Sequence, residues 1–144
     1  MSTMRKVFKG LILLFWMAVI YGFSSQNGQL SQATSDGLMG SIYQMLPFME
    51  IIPAAFLSIF IRKVAHFSEF FILACLFYSF LKEFKLSHLT LTSFILTALY
   101  ACFDETHQLF VSGRSFQLWD MLIDSLGGLV AVSVCHFLLN KEKY

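Results

Sequence analysis

Four long apolar runs constrain the fold of this chain more strongly than any other feature of its sequence. They occupy residues 11–23, 64–81, 86–103 and 120–139. A membrane-spanning helix needs about 20 predominantly apolar residues. The first run reaches that length if its helix begins near Val7 and Lys9 extends its amine back to the membrane surface. The pattern therefore predicts four membrane-spanning helices, at about residues 7–23, 64–81, 86–103 and 120–139.

The composition fits a fold in lipid better than a fold in water. Hydrophobic residues make up 57% of the 144 residues, charged residues only 13%, and the mean hydropathy is +0.68. Soluble domains carry about 25% charged residues. We therefore predict an all-α fold, a four-helix transmembrane bundle formed by one integral membrane domain over residues 1–144. The net charge of +1 is uninformative about nucleic acid, and the lack of a basic run argues against it as a partner.

The segment between the first two runs is the longest polar stretch. Apolar residues recur at helical spacing within 31–49, and Pro47 would end such a helix, so we predict a short amphipathic helix on the membrane surface. Residues 51–61 are apolar but only about half a span long. They fit either an interfacial or re-entrant helix or an early extension of the next span. The N-terminal run also has the shape of a signal peptide, but the absence of a clear cleavage site favours an uncleaved anchor.

Lysine and arginine are distributed unequally between the two predicted sides of the membrane. One side carries Arg5, Lys6, Lys9, Lys82, Lys85, Lys141 and Lys143. The other side carries Arg62, Lys63 and Arg114. The positive-inside rule therefore predicts that both termini are cytoplasmic and that the amphipathic helix is extracytoplasmic. The same topology places two polar segments, residues 62–69 and 104–114, at the outer leaflet.

These two segments and the start of the fourth run hold the ionisable residues that the predicted topology places at the outer leaflet. Helical spacing gives three sets, each on a shared face: Lys63, His66 and Glu69; Asp104, His107 and Gln108; Asp120 and Asp124. Ionisable residues in a membrane span are functional candidates by default, because an unpaired charge there costs several kcal/mol. The alternative is a structural network of ion pairs and hydrogen bonds that holds the helices together.

Three kinds of chemistry fit these residue types: acid–base catalysis, anion binding and metal binding. His66 and His107 each lie within a helical turn of a carboxylate, an arrangement suited to general acid–base catalysis near neutral pH. Arg114 and Lys63 could hold a phosphate or carboxylate, since the guanidinium fork matches such anions bidentately. A metal site built from the histidines and acids lacks any standard ligand spacing, so we expect neither metal nor cofactor.

Four stretches carry a resemblance to a known family. They are residues 23–26, 62–70 (RKVAHFSEF), 104–114 (DETHQLFVSGR) and 120–128. In order and in their placement relative to the spans, they resemble the VanZ family of bacterial membrane proteins over nearly the whole chain. The chain departs from the family at Ser112, where Pro is frequent, and at Asp124, where Asn is more common. The resemblance implies a cell-envelope role in the bacterial cytoplasmic membrane, but no settled reaction.

Matching positions in the family pattern complete the set of candidate site residues. The candidates for catalysis are His66, Glu69, Asp104, Glu105 and His107. The candidates for binding are Ser25, Gln26, Lys63, Gln108, Arg114 and Asp120, together with Asp124 one turn beyond Asp120.

Three functions are open at this point, and whether the protein is an enzyme is left undecided. The first is a membrane enzyme that acts on a lipid-linked envelope component or an amphipathic antibiotic; the family's namesake is associated with resistance to the glycopeptide teicoplanin. The second is a non-catalytic lipid-binding, antibiotic-binding or scaffold protein. The third is a small transporter, which the confinement of charge to one leaflet disfavours. The expected partners are a membrane lipid, a lipid-linked cell-wall component or a glycopeptide antibiotic.

Overall fold

The structure, a computed structural model, describes residues 2–140. Over that range the chain is all-α without a strand, as predicted. Its helices are α1 (Ser2–Ser24), α2 (Gly28–Met45), α3 (Ala54–Leu81), α4 (Leu89–Gln108) and α5 (Leu118–Asn140), with short 3₁₀ helices at Pro47–Ile51 and Lys82–Phe84. Lys141 and Lys143, two of the lysines behind the predicted topology, lie outside the described residues.

Three segments of the described chain are long and apolar enough to cross a membrane. They are Thr3–Ser24, Ala54–Phe84 and Leu118–Leu139. Helix α4, which holds most of the predicted span at 86–103, is not among them, because hydroxyl residues near its start and the acids Asp104 and Glu105 near its end lower its hydropathy. Length and composition therefore support three spans, and the fourth rests on the sequence pattern alone.

Helix α3 is the centre of the bundle and packs against each of the other helices. Its buried residues Phe70, Leu73 and Phe77 form an apolar core with Leu13 and Ile20 of α1. Large apolar side chains also cover the outward faces of α1 and α5. Such an outer surface suits helices whose solvent is lipid.

Two adjacent glycines let α5 approach its neighbours closely. A Cβ atom on Gly127 would collide with the backbone carbonyl oxygen of Phe67 in α3. A Cβ atom on Gly128 would lie 2.8 Å from Cγ2 of Thr97 in α4. Small residues at helix contacts permit this spacing. The contact fixes the level of α5 against α3 and so determines which polar residues of the two helices face each other.

The structure decides between the alternatives for residues 51–61. From Ala54 onward they belong to α3, which is one continuous helix of 28 residues. Pro53 precedes its first turn, a position where the missing N–H of proline costs nothing. The polar segment 62–69 therefore lies inside a helix, not at the start of one.

Helix α2 corresponds to the predicted amphipathic helix and ends just before Pro47. The Asn27 side chain caps its start by accepting a hydrogen bond from the backbone N–H of Leu30 at 2.8 Å. Oδ1 of Asp36 then accepts hydrogen bonds from Gln32 within α2 and from Ser58 of α3, each 2.9 Å long. These bonds hold α2 against the first part of α3.

Candidate functional site

The two polar segments come together at one end of the bundle. There the end of α1, the middle of α3, the end of α4 and the start of α5 meet. Ionisable side chains are rarely buried unless they are paired, yet Asp124 and Glu105 are 0% exposed. We call this group the polar cluster, and its members are Arg62, Lys63, His66, Glu69, Asp104, Glu105, Gln108, Arg114, Asp120 and Asp124.

Two charge pairs join α3 to α5. Nζ of Lys63 donates to Oδ1 of Asp120, and one turn further along Nδ1 of His66 lies 3.4 Å from Oδ1 of Asp124. The second pair is within ion-pair range, but neither carboxylate oxygen of Asp124 makes a hydrogen bond with any residue of the described chain. Burial without hydrogen bonds is costly for a carboxylate. The buried carboxylate of Asp124 therefore depends on the neighbouring imidazole of His66 to compensate its charge.

A chain of hydrogen bonds links the end of α4 to the loop before α5. Nε2 of Gln108 donates to Oδ2 of Asp104 at 3.0 Å, and Oε1 of Gln108 accepts from Nη1 of Arg114 at 3.0 Å. Nε of Arg114 donates to the backbone carbonyl of Gln26 at 3.2 Å. Gln108 is thus fixed by a carboxylate on one side and a guanidinium on the other. The guanidinium of Arg114 is anchored at two of its three nitrogens.

Glu105 supports the start of α5. Its Oε1 accepts a hydrogen bond of 2.6 Å from the backbone N–H of Gln117, the residue before that helix. An acid at a helix N-terminus also interacts favourably with the helix dipole. Its other oxygen, Oε2, is buried without a hydrogen-bond partner among residues 2–140. Glu105 therefore positions α5, and it lines neither of the two cavities described below.

A glycine turn places Arg114. The backbone N–H of Arg114 donates to the carbonyl of Val111 at 3.1 Å, and Gly113 has a φ of +74°, as the third residue of a type II turn requires. The N–H of Gly28, at the start of α2, donates to the carbonyl of Ser112 at 3.1 Å. A Cβ atom on Gly28 would collide with the carbonyl oxygen of Gly113. The loop is therefore clamped directly onto α2.

His107 lies apart from the cavities, in contact with the end of α1. Its Nε2 is 3.0 Å from Oγ of Ser25, and its ring centroid is 4.4 Å from that of Tyr21. The Ser25 hydroxyl donates its only hydrogen to the carbonyl of Tyr21, at 2.7 Å. Ser25 must therefore accept from His107, which assigns the proton of a neutral His107 to Nε2. These contacts describe a link between α1 and α4.

Two adjacent cavities open beside the polar cluster. The apolar cavity, of about 240 Å³, lies between the end of α1, α2 and α3, and its walls include Phe23, Leu38, Ile61, Ala65, Glu69 and Asp104. The polar cavity, of about 220 Å³, lies toward the loop before α5, and its walls include Gln32, Gln108, Gly113, Ser115, Gln117 and Asp120. Both cavities are also lined by Arg62, His66 and Arg114.

The structure gives the candidate residues different surroundings. Seven of the candidates line one cavity or both: Gln26, His66, Glu69, Asp104, Gln108, Arg114 and Asp120. The other five candidates line neither cavity and contact other protein groups instead: Ser25, Lys63, Glu105, His107 and Asp124. A metal site from the two histidines would need them together, and within residues 2–140 no three or more His, Cys, Asp or Glu side chains are placed so that they could hold a metal ion.

Arg62 is the site residue that the sequence reasoning missed. The sequence predicts anion binding by Lys63 together with Arg114. In the structure Lys63 is paired with Asp120, whereas Arg62 lines both cavities. Helical spacing could have found it, because Arg62 lies four residues before His66 and seven before Glu69, on the same helix face. Burial, together with the nearby Arg62 charge, lowers the pKa of Arg114. Two guanidinium groups therefore lie close enough to interact.

These features define a class of protein: a small helical membrane protein with buried ionisable residues gathered at one end of its bundle. The family comparison then identifies the chain more closely. The VanZ/LLP1 family model matches residues 10–139, so the chain belongs to that family, as the resemblance predicted. Neither a curated protein nor a solved structure matches the chain.

Proposed function

We propose that this protein works in the cell envelope, where its polar cluster binds the anionic headgroup of a membrane lipid or a lipid-linked cell-wall component. Family membership supports an envelope or resistance role. One observation supports the proposal that the cluster binds an anionic headgroup: both cavities are lined by the same three residues, Arg62, His66 and Arg114. Two guanidinium groups favour a phosphate or carboxylate, and the histidine adds a group that can transfer a proton.

Proton transfer in this site is assigned to His66. Its Nδ1 lies 3.4 Å from Oδ1 of Asp124, which leaves Nε2 as the nitrogen available to a ligand. Glu69, one turn further along α3, lines the apolar cavity beside it. A histidine held by a buried carboxylate is a general acid–base arrangement. The position of His107, outside both cavities, supports a structural role for it instead.

A non-catalytic binder or scaffold is the alternative function. The observation in its favour is that most acids of the cluster already have protein partners, as structural glue would. In that case the protein protects cells by holding a lipid or a glycopeptide antibiotic of the teicoplanin type, without changing either one. A transporter is less well supported, since the buried hydroxyls of Ser93 and Thr97 bond to carbonyls of their own helix and offer no pathway.

The proposed setting is a bacterial cytoplasmic membrane with four spans, both termini in the cytoplasm and the polar cluster at the outer leaflet. The distribution of lysine and arginine supports this orientation. A fluorescent protein that matures only in the cytoplasm, fused to the C-terminus, should be bright. A dark fusion with normal membrane levels would place the C-terminus outside and contradict the orientation.

Mass spectrometry of lipids and cell-wall precursors tests the proposed function. Cells expressing the wild type, His66→Gln, His107→Gln and the control His88→Gln are compared, together with their growth in teicoplanin. His88 is exposed at the start of α4, far from the cluster. If the protein is an enzyme, a species that appears or disappears with the wild type should be unchanged by His88→Gln and His107→Gln and abolished by His66→Gln.

The outcomes separate the two candidates. Identical lipid profiles, with protection that rises in proportion to the amount of protein, would select the binder. Full activity of His66→Gln at normal membrane levels would remove acid–base catalysis from the proposal. Loss of activity only in His107→Gln would contradict the structural role given to that residue.

A further inference from the structure

We propose that the two cavities form one site for a single-chain lipid whose headgroup is a phosphate. The phosphate lies in the polar cavity between Arg62 and Arg114, and the first part of the hydrocarbon chain lies in the apolar cavity beside α2. The inference rests on the proposed function and deepens it, since it names a class of ligand and assigns each part of that ligand to a cavity.

The cationic residues point to a phosphate. Nε of Arg62 is buried and has no hydrogen-bond partner among residues 2–140. Arg114 uses Nε and Nη1 for Gln26 and Gln108, which leaves its remaining terminal nitrogen for a ligand. Two cations that face the same cavity repel each other, and a phosphate between them replaces that repulsion with charge-assisted hydrogen bonds.

The carboxylates assign the phosphate to the polar cavity. The carboxylate that lines the polar cavity is Asp120, and it is neutralised by Lys63. The apolar cavity is lined by Glu69 and Asp104, and a phosphate there would lie beside like charge. The hydroxyl of Ser115 adds a further possible donor to the polar cavity. The anion therefore fits the polar cavity better.

The apolar cavity is suited to a hydrocarbon chain. Four apolar side chains contribute to its walls beside ten polar or charged residues: Phe23 at the end of α1, Leu38 of α2, and Ile61 and Ala65 of α3. By area, most of its lining surface is apolar. A hydrocarbon chain in the apolar cavity would therefore begin its contacts at the wall that this cavity shares with the polar cavity. A lipid bound in both cavities would place its headgroup and its chain on the two sides of Arg62 and His66.

The size of the cavities sets the number of chains. Each cavity, at about 240 Å³ and about 220 Å³, is smaller than the roughly 300–1,000 Å³ pockets that enclose drug-sized ligands. The apolar cavity therefore holds the first part of one chain, and the rest of that chain extends into the surrounding lipid. A headgroup that carries two chains would leave its other chain outside this cavity.

Native mass spectrometry of the full chain in a non-ionic detergent tests this inference with three probes. Lysophosphatidic acid has one chain and a phosphate, monoacylglycerol has the same chain without the phosphate, and inorganic phosphate has no chain. Lysophosphatidic acid should bind at least tenfold more tightly than either of the others, about the effect of one charge-assisted hydrogen bond or a few buried methylene groups.

Variants separate the two halves of the site. Arg62→Gln should weaken both lysophosphatidic acid and inorganic phosphate about tenfold, since each loses a charged hydrogen bond. Arg62→Lys should recover part of the affinity, and Arg5→Gln, which removes a cation at the other end of α1, should change nothing. Ala65→Phe, which fills the apolar cavity, should weaken lysophosphatidic acid only. Leu38→Glu, on the exposed side of α2, gives a second test of the chain contact.

The failures of the two proposals are distinguishable. If inorganic phosphate binds through Arg62 but the chain adds no affinity, or if Ala65→Phe and Leu38→Glu leave lysophosphatidic acid unaffected, the chain assignment is wrong and the proposed function survives. If phosphatidic acid, with two chains, binds as tightly as lysophosphatidic acid, the single-chain assignment is wrong. If monoacylglycerol binds equally well, or Arg62→Gln changes neither phosphate probe, both proposals are wrong.

Discussion

Helices α3 and α5 pack along their length, but the two halves of their interface are chemically different. The half near the start of α5 contains the two charge pairs of the polar cluster. In the other half, Ala74 and Tyr78 of α3 pack against Ala131 and Val132 of α5 in a cluster without charge. Gly127 and Gly128 lie between the halves. One pair of helices therefore shows both how this bundle is stabilised and where it departs from stable packing.

Cohesion alone does not require a polar half at this interface. Apolar side chains of suitable shape would hold the helices at least as well, since replacing a buried ion pair by packed hydrophobic residues is often neutral or stabilising. Among residues 2–140, the polar half instead keeps Asp124 fully buried without a hydrogen bond and leaves Nε of Arg62 without a hydrogen-bond partner. Unsatisfied buried groups of this kind are expected where a ligand completes the set of partners.

The largest expected effect comes from breaking one charge pair. His66→Leu should destabilise the protein by about 3–5 kcal/mol, because it leaves the buried Asp124 carboxylate uncompensated. The double variant His66→Leu/Asp124→Leu should regain most of that stability, since it makes this level of the interface apolar. Unfolding in mixed micelles, followed by circular dichroism, measures both.

The double variant also distinguishes stability from function. It should lose ligand binding and any resistance while it folds normally. That result would show that the charge pair serves function and is not required to hold α3 and α5 together. A double variant as unstable as His66→Leu alone would mean that the pair holds the helices together, and the comparison between the two halves would fail. Asp124→Asn introduces the residue that is more common at this position in the family. It should lower the stability less than His66→Leu does, because it removes a buried charge.

The next effect concerns the glycine contact between the two halves. Gly127→Leu should destabilise the protein by about 3 kcal/mol, because its side chain would overlap the carbonyl of Phe67 and force α5 away from α3. Gly22→Leu on α1 is the matched control, since in the described part of the chain a Cβ atom there would have no neighbour within 4 Å apart from adjacent residues and its own helix backbone. The unfolding midpoint of each variant measures the effect. Equal midpoints would show that α5 can move away from α3 at little cost.

Much of this fold could be predicted because its signal is carried by long, uniform runs of apolar sequence. The helical character and the membrane class follow from those runs, and the family assignment is confirmed. The boundaries were less certain, because residues 51–61 lack any breaker between Pro53 and the polar segment and fitted two alternatives equally. The span at 86–103 is the weakest, since hydroxyl residues make α4 less apolar than its neighbours.

The site was predictable in composition but not in pairing. Spacing along one helix predicts which residues share a face, but the partner of each residue depends on the level at which two helices pack. Sequence alone therefore could not show that Lys63 is paired with Asp120 while Arg62 lines the cavities. It also could not separate His66 from His107, because both lie within a turn of a carboxylate and only the fold places them apart.

A smaller effect is expected in the apolar half. Val132→Ala should destabilise the protein by about 1 kcal/mol, because it removes packing contacts from a site that is 1% exposed. Binding of a phosphate lipid should not change, since the polar cluster is not touched. Comparison of unfolding and native mass spectrometry for the same sample checks both parts. A loss of binding here would mean that the two halves are coupled through α5.

The smallest effect is expected in the loop that closes the polar half. Ser112 is the second residue of the turn closed by the hydrogen bond from Arg114 to Val111, and Gly113 follows it with a positive φ. A type II turn favours proline at that position. Ser112→Pro should therefore be neutral or stabilising by up to about 1 kcal/mol, since it keeps the carbonyl that accepts from Gly28 and reduces the freedom of the unfolded chain.

The neighbouring position gives the control with the opposite sign. Gly113→Ala must adopt a φ near +74° with a side chain, which should cost about 1–2 kcal/mol and displace the guanidinium of Arg114. Thermal unfolding of the two variants measures the difference, and phosphate affinity reports on the guanidinium. If Ser112→Pro were as destabilising as Gly113→Ala, the turn would not be the rigid support of the polar half. Arg114 would then be held by Gln26 and Gln108 alone.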